Sequence, residues 1–236
     1  MDLNKGKLGI LGGMGPQATL MFYQRVIDFT AAHRDQEHIP TLILSDSEMP
    51  DRTAALLSGD TGPVKEQLLR DARQLEDWGV CCIAIPCNTS PAFVSWLQEG
   101  LRVPIVNMIE ETAAALKAMG CKRAGILATD GTIRQGLYHA ACEKAGVEAV
   151  SPPADIQKLV MSVIYDEIKK GEKGSREKFS AIGKTLRELN CDRAVLACTE
   201  LSVYRAWHDL SGCYVDAMDV LARRCVEVCG YPLRDL

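Results

Sequence analysis

The sequence predicts an α/β protein of two pseudosymmetric domains, each a mostly parallel sheet flanked by helices. Short apolar runs alternate with longer segments of helical apolar spacing, a pattern typical of parallel strands joined by helices. The pattern starts again near mid-chain, where Gly125-Ile126-Leu127 repeats Gly9-Ile10-Leu11. Leu75 to Cys87 has the same spacing as Leu186 to Cys198, which indicates an internal repeat. No low-complexity linker separates the halves, so we expect them to pack around a cleft that holds the active site.

The first half opens with a buried strand and a glycine-rich turn that leads into a helix. Pro16 suits the first turn of that helix, because an N–H at that position has no helical partner. We predict strands at residues 7–11, 41–44, 80–85 and 104–106. We predict helices from Ala18 to about His33, at 62–78 and at 91–99, and a polar loop at 45–53.

The second half repeats the alternation of strand and helix. We predict helices at residues 108–119, 133–145, 155–170 and 176–189, and strands at 123–127 and 194–197. A turn at 128–132 stands where the glycine turn stood in the first half. The tail carries a strand at 213–215 and a helix at 218–228, which we expect to return to the first half. The predicted domains are therefore 1–107 with 214–236, and 108–213.

Composition excludes several classes of protein. The 236 residues can bury a sizeable core, and 47% of them are hydrophobic and 25% charged. The net charge is −4 with scattered Lys and Arg, which does not favour nucleic-acid binding. No apolar run approaches the roughly 20 residues that cross a bilayer, and the start of the chain lacks the apolar segment of a signal peptide. We therefore expect a cytoplasmic protein that binds neither nucleic acid nor a membrane.

Ten cysteines are many for such a chain. Most lie in apolar runs or predicted helices, where a thiol packs as a small hydrophobe. The sequence has no Cys-x-x-Cys pair, and its four histidines have no metal-ligand spacing. Cys225 and Cys229 are one helical turn apart and could touch a metal, but core packing is the better interpretation. We expect no metal.

Two cysteines end apolar runs in corresponding places of the two halves. They lie in Ile85-Pro86-Cys87-Asn88-Thr89 and Leu196-Ala197-Cys198-Thr199-Glu200. Parallel sheets bind ligands at the carboxyl ends of their strands, where turn amides or a helix N-terminus lower a thiol pKa. One cysteine at such a place usually packs in the core, but a matched pair indicates function. We predict that one thiolate removes a proton from a carbon and that the other thiol protonates the opposite face, a two-base racemisation.

The Gly13-x-Gly15-x-x-Ala18 string permits a second interpretation. It follows a strand and opens a helix, as a dinucleotide fingerprint does, and Asp46 is its only plausible ribose partner. Pro16 lies within the string, however, which is short and common. We prefer a tight turn whose amides line the cleft and hold a carboxylate.

Two basic residues are candidates for binding a carboxylate. Arg52, in the loop after the second strand, offers a bidentate guanidinium. Lys169 ends the helix that begins near Asp155, where a lysine also stabilises the helix dipole. Either residue alone is weak evidence for a carboxylate-binding site.

Taken together, these motifs resemble those of the aspartate/glutamate racemase family, nearest to its cofactor-independent aspartate racemases. The similarity covers nearly the whole chain and rests on the number and order of its motifs. They are Gly12-Gly13-Met14-Gly15-Pro16, Pro50-Asp51-Arg52-Thr53, Pro86-Cys87-Asn88-Thr89 and Cys198-Thr199-Glu200, with 108–112, 131–132 and 161–169.

The resemblance implies an active site between two domains, a homodimer, and racemisation without pyridoxal phosphate or a metal. It assigns acid/base roles to Cys87 and Cys198. It assigns substrate binding to Asp51, Arg52, Thr53, Asn88, Thr89, Ser90 and Lys169. Thr199 and Glu200, which follow Cys198, and Met14 in the glycine turn complete the predicted binding residues. The expected substrate is aspartate or glutamate, because a dicarboxylate needs two anion sites.

Three alternatives stay open from the sequence. The first is another enzyme of the superfamily: a glutamate or hydantoin racemase, a maleate isomerase or a decarboxylase. The second is a nucleotide-binding dehydrogenase or regulator that uses the turn at 13–18. The third is a binding protein without turnover, which a ligand would stabilise.

Overall fold

The computed structural model describes residues 5–210 and 212–234 of the chain. Its strands are β1 (Leu8–Gly12), β2 (Thr41–Ser45), β3 (Cys82–Ala84), β4 (Ile105–Val106), β5 (Arg123–Ala128), β6 (Glu148–Val150), β7 (Arg193–Ala197) and β8 (Tyr214–Asp216). Its α-helices are α1 (Pro16–Phe29), α2 (Arg52–Ser58), α3 (Gly62–Asp77), α4 (Val94–Glu99), α5 (Met108–Ala118), α6 (Asp130–Gln135), α7 (Leu137–Ala145), α8 (Ala154–Ser162), α9 (Arg176–Glu188), α10 (Thr199–Trp207) and α11 (Ala217–Val228). Short 3-10 helices span Asp35–Glu37, Ser90–Phe93 and Ile168–Lys170, and a π-helical turn spans Val163–Glu167.

The chain forms two compact units with the same strand order. The first contains a sheet of order β2-β1-β3-β4 and the second a sheet of order β6-β5-β7-β8. Every pairing between these strands is parallel. In each sheet the first strand of the unit lies between the second and the third. The predicted fold class, two α/β domains with parallel sheets flanked by helices, is confirmed.

The core of the first unit forms where α3 packs on β1 and β2. Val64, Leu68, Ala72 and Leu75 recur at helical spacing and make one buried face of α3. All five residues of β1 are buried, as expected for a parallel strand covered on both sides. Burial of this apolar face, at roughly 25 cal/mol per Å², holds the helix on the sheet.

In the second unit, α8 and α9 pack on each other and α10 packs on β7. Phe179 of α9 stacks on Tyr204 of α10, with ring centroids 4.2 Å apart. Ser175 caps α9 by accepting a hydrogen bond from the Lys178 backbone N–H at 3.2 Å. The ring contact and the packing on β7 hold α10, whose N-cap is Cys198, on the second sheet.

The two units have different boundaries from those the sequence suggested. The first comprises the described residues up to Met108 and from Met218 onward, and the second spans Ile109–Ala217. The tail helix α11 does return to the first unit. Strand β8 does not, because Tyr214 and Val215 pair with Ala194 and Val195 of β7. The outermost residues of the predicted first domain lie outside the described part of the chain.

Several predicted elements differ in detail. The predicted helix at 133–145 is two helices, α6 and α7, because Gly136 adopts a left-handed backbone (φ 64°) between them. The predicted helix at 155–170 is α-helical only up to Ser162. It then continues as a π-helical turn and a 3-10 turn. The predicted loop at 45–53 ends in α2, which the sequence analysis missed together with β6 and α10.

Within the described residues, no helix is long and apolar enough to cross a membrane.

Candidate active site

Cys87 follows β3 at the carboxyl end of the first sheet. Its side chain is 5% exposed, and it belongs to the same buried cluster as Met14 and Met49. The Cys87 backbone N–H donates to the Ile85 carbonyl oxygen at 2.8 Å, which turns the chain sharply after the strand. The 3-10 helix that begins at Ser90 comes next. The thiol therefore stands on a tight turn that packing holds in place.

Two predicted binding residues meet beside this turn. The Ser90 hydroxyl donates to Sδ of Met14 at 3.4 Å, and both side chains are buried. Asn88 is also buried, whereas Thr89 is half-buried. This contact joins the turn after β3 to the glycine turn after β1.

The glycine turn is shaped by close backbone packing. Gly13 has a φ of 91°, and a Cβ at this position would lie 2.1 Å from the Asp46 carbonyl oxygen. The Gly13 N–H donates to Thr19 Oγ1 at 2.9 Å. Gly13 is therefore needed so that the chain after β1 can touch the chain after β2.

Asp46 is engaged by its own neighbours. Its carboxylate accepts hydrogen bonds from Gln67 and from the Glu48 N–H, and it pairs with Arg70 at 3.3 Å. Burial disfavours its charge, but the Gln67 and Glu48 hydrogen bonds outweigh that effect and lower the pKa of Asp46. Asp46 is the residue that the dinucleotide interpretation would need to bind a ribose, and its carboxylate is already engaged by these contacts.

Asp51, Arg52 and Thr53 form the start of α2. Asp51 caps the helix, because its Oδ1 accepts from the Ala54 N–H at 2.9 Å. The Arg52 Nη1 donates to the Pro50 and Met49 carbonyls at 2.9 and 3.3 Å. Its Nε is buried and has no hydrogen-bond partner among the described residues. The guanidinium is thus fixed on one side and keeps a donor for another acceptor.

Cys198 stands in the second unit at the end of β7 and is the N-cap residue of α10. Its side chain is 7% exposed. The Cys198 thiol donates to Oε2 of Glu200 at 2.9 Å, and the Thr199 hydroxyl donates to the same oxygen at 3.1 Å. The carboxylate of Glu200 therefore folds back over the thiol.

Lys169 reaches the other oxygen of Glu200. Its Nζ lies 3.8 Å from Glu200 Oε1 and 4.0 Å from the centroid of the Tyr165 ring. The 3-10 helix that carries Lys169 packs on α10, which brings the two side chains together. Four predicted residues, Lys169, Cys198, Thr199 and Glu200, thus form one connected group.

The environment of Cys198 favours the neutral thiol. Burial raises the pKa of Cys198 well above its ordinary value, the nearby Glu200 carboxylate raises it further, and Lys169 opposes the shift. The expectation that turn amides or a helix N-terminus lower the thiol pKa is wrong for Cys198. Desolvation and the negative charge of Glu200 outweigh the two opposing effects, the hydrogen bond from the Glu200 backbone N–H and the positive charge of Lys169.

Glu200, which is predicted to bind substrate, has two contacts that the sequence did not indicate: its carboxylate touches the Cys198 thiol and Lys169. An available signal was the position of Glu200, two residues after Cys198 and in the first turn of a helix.

The two cysteine turns have corresponding surroundings. Two residues after the last residue of α3 and of α9 stands a residue with left-handed backbone, Gly79 (φ 77°) and Asn190 (φ 56°). These residues are equally far from Cys87 and Cys198 along the chain. β3 and β7 also hold the same place in their sheets. The internal repeat predicted from Leu75–Cys87 and Leu186–Cys198 therefore has a structural counterpart.

Two α/β units of one topology, each with a cysteine turn at the end of its third strand, define a small class of proteins. The sequence model of the Asp/Glu/Hydantoin racemase family matches residues 11–225. The chain belongs to this family, and the resemblance noted from the sequence is confirmed. Membership in a racemase family supports the conclusion that this protein is an isomerase.

Individual relatives agree with this assignment. The broad specificity amino-acid racemase RacX of Bacillus subtilis (strain 168) is 29% identical over 202 residues, which are 83% of this chain and 86% of the relative. Among solved structures, Picrophilus torridus aspartate racemase is 29% identical, with a TM-score of 0.79 and coverage of 97% of this chain and 96% of that chain. Glutamate racemase of Francisella tularensis subsp. tularensis SCHU S4, solved with D-glutamate, shares the fold at 17% identity, with a TM-score of 0.66 and coverage of 96% and 81%.

Proposed function

We propose that this protein interconverts L- and D-aspartate, or the glutamate enantiomers, by a two-cysteine mechanism without a cofactor. The observation that carries the proposal is the equivalent position of Cys87 and Cys198 in two units of the same strand order. The description of the Picrophilus torridus relative as an aspartate racemase supports this substrate.

The proposed reaction uses one thiolate and one thiol on opposite faces of the substrate. The thiolate removes the α-proton: the Cα–H bond breaks, an S–H bond forms and the electron pair stays on the substrate as a planar carbanion. The opposite thiol then gives its proton to the other face of Cα and becomes a thiolate. The two cysteines exchange roles when the reaction runs backward.

The contacts of Cys198 bear on the protonation state of the two cysteines before substrate binds. Because burial and Glu200 raise its pKa, Cys198 rests as the thiol and serves as the acid in the first turnover. Cys87 is then the base for the enantiomer whose α-hydrogen faces it. Glu200 orients the Cys198 thiol through the 2.9 Å hydrogen bond and acts as a positioning residue.

The basic side chains support an acidic substrate. Arg52 keeps a buried Nε without a partner among the described residues, and guanidinium groups bind carboxylates. The Lys169 side chain is 41% exposed, and its Nζ has Glu200 as its acidic neighbour at 3.8 Å. We propose that these two cations hold the two carboxylates, with Met14, Asp51, Thr53, Asn88, Thr89, Ser90 and Thr199 completing the site.

Proton exchange in D2O tests the proposal directly. Reduced protein is incubated with L-aspartate in D2O without added cofactor; NMR follows loss of the α-proton and chiral chromatography follows D-aspartate. We expect both signals in the wild type. Cys87→Ala and Cys198→Ala should each lower racemisation by about 10²–10⁴-fold or more, the range of general acid–base catalysis. Cys191→Ala, which removes a half-buried thiol of the second unit, is the control and should keep full activity.

The outcomes separate the open alternatives. Full racemisation by either active-site variant would refute the two-thiol mechanism. Activity on many neutral amino acids but not on aspartate or glutamate would favour a broad specificity racemase, as the Bacillus subtilis relative is described. The same samples, run in an analytical ultracentrifuge, test the homodimer that the family resemblance implies.

A further inference from the structure

Three thiols that are distant in sequence meet in the first unit. Cys81 precedes β3, Cys82 is the first residue of β3, and Cys229 directly follows α11. The Sγ of Cys229 lies 3.6 Å from that of Cys81 and 3.7 Å from that of Cys82. All three sulfurs are within 4.8 Å of one another. The sequence indicated only Cys225 and Cys229 as a pair, because the three-thiol group depends on how α11 returns to the first sheet.

The spacing of the sulfurs matches that of thiolates around one metal ion. A Zn–S bond is about 2.3 Å, so two thiolates at a tetrahedral angle stand about 3.8 Å apart. Two of the three separations, 3.6 and 3.7 Å, are close to this value. Soft thiolate ligands select ions such as Zn²⁺ and Cu⁺.

Backbone contacts hold the three residues in place. The Cys81 N–H donates to the Lys7 carbonyl at 2.8 Å, and the Gly6 N–H donates to the Cys229 carbonyl at 3.0 Å. A Cβ on Gly6 would lie 2.2 Å from Cys81 Sγ, so the glycine backbone packs directly on this thiol. Cys82 and Cys229 are buried, and Cys81 is half-buried. The group is therefore pre-formed and reachable from one side.

The thiols also affect one another's protonation. The pKa of Cys81 is lowered because the Cys229 and Cys82 thiols hydrogen-bond to its ionised form. That of Cys229 is raised by the same hydrogen bonds and by burial.

We propose that Cys81, Cys82 and Cys229 form a structural site for one thiophilic d10 ion, Zn²⁺ or Cu⁺. The three sulfurs supply three ligands, and no His, Asp or Glu side chain of the described residues joins them, which leaves a fourth position for water. The ion would tie the start of β3 to the end of α11. The site lies at the amino end of β3, whereas Cys87 lies beyond the carboxyl end, so it is separate from the proposed active-site cysteine.

Metal content after purification tests the site. A background of Cys87→Ser with Cys198→Ser removes the two thiols assigned to catalysis, so that they cannot bind the ion. Protein expressed with added Zn²⁺ and purified without chelators should carry about one ion per chain by mass spectrometry of the elements. Cys81→Ser, which alters only a half-buried thiol, should lower this content at least tenfold, and Cys229→Ser should do the same. Cys191→Ser is the matched control for Cys81 and should keep the ion.

Two further measurements use the reduced, metal-free form of the same background. Titration with Cd²⁺ should give a thiolate-to-metal charge-transfer band that saturates at one equivalent and is absent in Cys81→Ser. Anaerobic titration with Cu⁺ against a chelating dye gives its affinity, and comparison with Zn²⁺ identifies the preferred ion. Added ion should raise the Tm of this protein but not that of Cys81→Ser.

Several results would overturn the site. Equal metal content in Cys81→Ser and its parent would show that the ion binds elsewhere. The absence of a saturating Cd²⁺ band, together with no binding of Zn²⁺ or Cu⁺, would refute it as well. Formation of a disulfide between Cys81 and Cys82 or Cys229 in air, in protein that takes up no ion when reduced, would assign the group to redox chemistry instead.

Discussion

The thiol of Cys198 lies 2.9 Å from Oε2 of Glu200, two residues along the chain. This carboxylate acts with burial to raise the pKa of Cys198. Glu200→Gln removes the negative charge and keeps the shape, so the pKa of Cys198 should fall. For the enantiomer that Cys87 deprotonates, kcat/KM requires the Cys198 thiol and declines as pH rises through its pKa. The alkaline limb of that profile should therefore shift to lower pH in the variant.

The pH profile separates this role from a purely structural one. Glu188→Gln removes an exposed carboxylate in the same unit, which pairs only with Lys184 at 3.7 Å among the described residues. It should leave the alkaline limb unchanged. A Glu200→Gln profile that is lower at all pH values but unshifted would contradict the proposed effect on Cys198.

Replacing Gly13 by Ala should destabilise the first unit strongly. The new Cβ would lie 2.1 Å from the Asp46 carbonyl oxygen, at a φ of 91° that side chains rarely adopt. We expect a loss of about 2–4 kcal/mol in the free energy of unfolding, measured by urea denaturation. Gly15→Ala is the control, because a Cβ there meets no atom within 4 Å. Equal stability of the two variants would contradict this packing.

Replacing Arg52 by Lys should weaken substrate binding. Lysine keeps the charge but loses the planar guanidinium. In Arg52 one side of this group donates to the Pro50 and Met49 carbonyls, and the buried Nε has no partner in the described part of the chain. A lost hydrogen bond to a charged group costs about 1.5–3 kcal/mol, so KM for aspartate should rise about tenfold or more. Steady-state kinetics measure this change. Arg73→Lys, on an exposed position of α3, should leave KM unchanged, and an unchanged KM in Arg52→Lys would remove Arg52 from the site.

Glu167 fixes the segment that carries Lys169. Its carboxylate is buried and accepts from the Ser175 N–H at 2.7 Å and from Lys178 Nζ at 2.5 Å. Glu167→Gln turns an amide group toward these donors, which should cost about 1–3 kcal/mol of stability by thermal or urea unfolding. The change should also lower activity, because Lys169 is two residues away. Glu172→Gln, at an exposed position of the same region, should change neither property.

The parts of this protein that depend on local pattern could be predicted from the sequence. Alternation of apolar runs and helices indicated parallel sheets, and the spacing of Leu75–Cys87 and Leu186–Cys198 indicated two like halves. The left-handed positions Gly79 and Asn190 agree with that equal spacing, because each follows a helix and precedes its cysteine by the same number of residues. Irregular segments were predicted less well. The helix containing Lys169 departs from α geometry after Ser162 and ends in a different type of turn.

The sequence alone determined the fold class, the family and the identity of the two candidate acid/base thiols, because these follow from the order of short motifs along the chain. The tertiary structure alone decided three other features: the pairing of β8 with β7, the protonation of Cys198 and the group formed by Cys81, Cys82 and Cys229. Each depends on contacts between segments brought together by packing, or on burial of a charge. Such contacts set the local dielectric and the distances between sulfurs and carboxylates, which no spacing along the chain reveals.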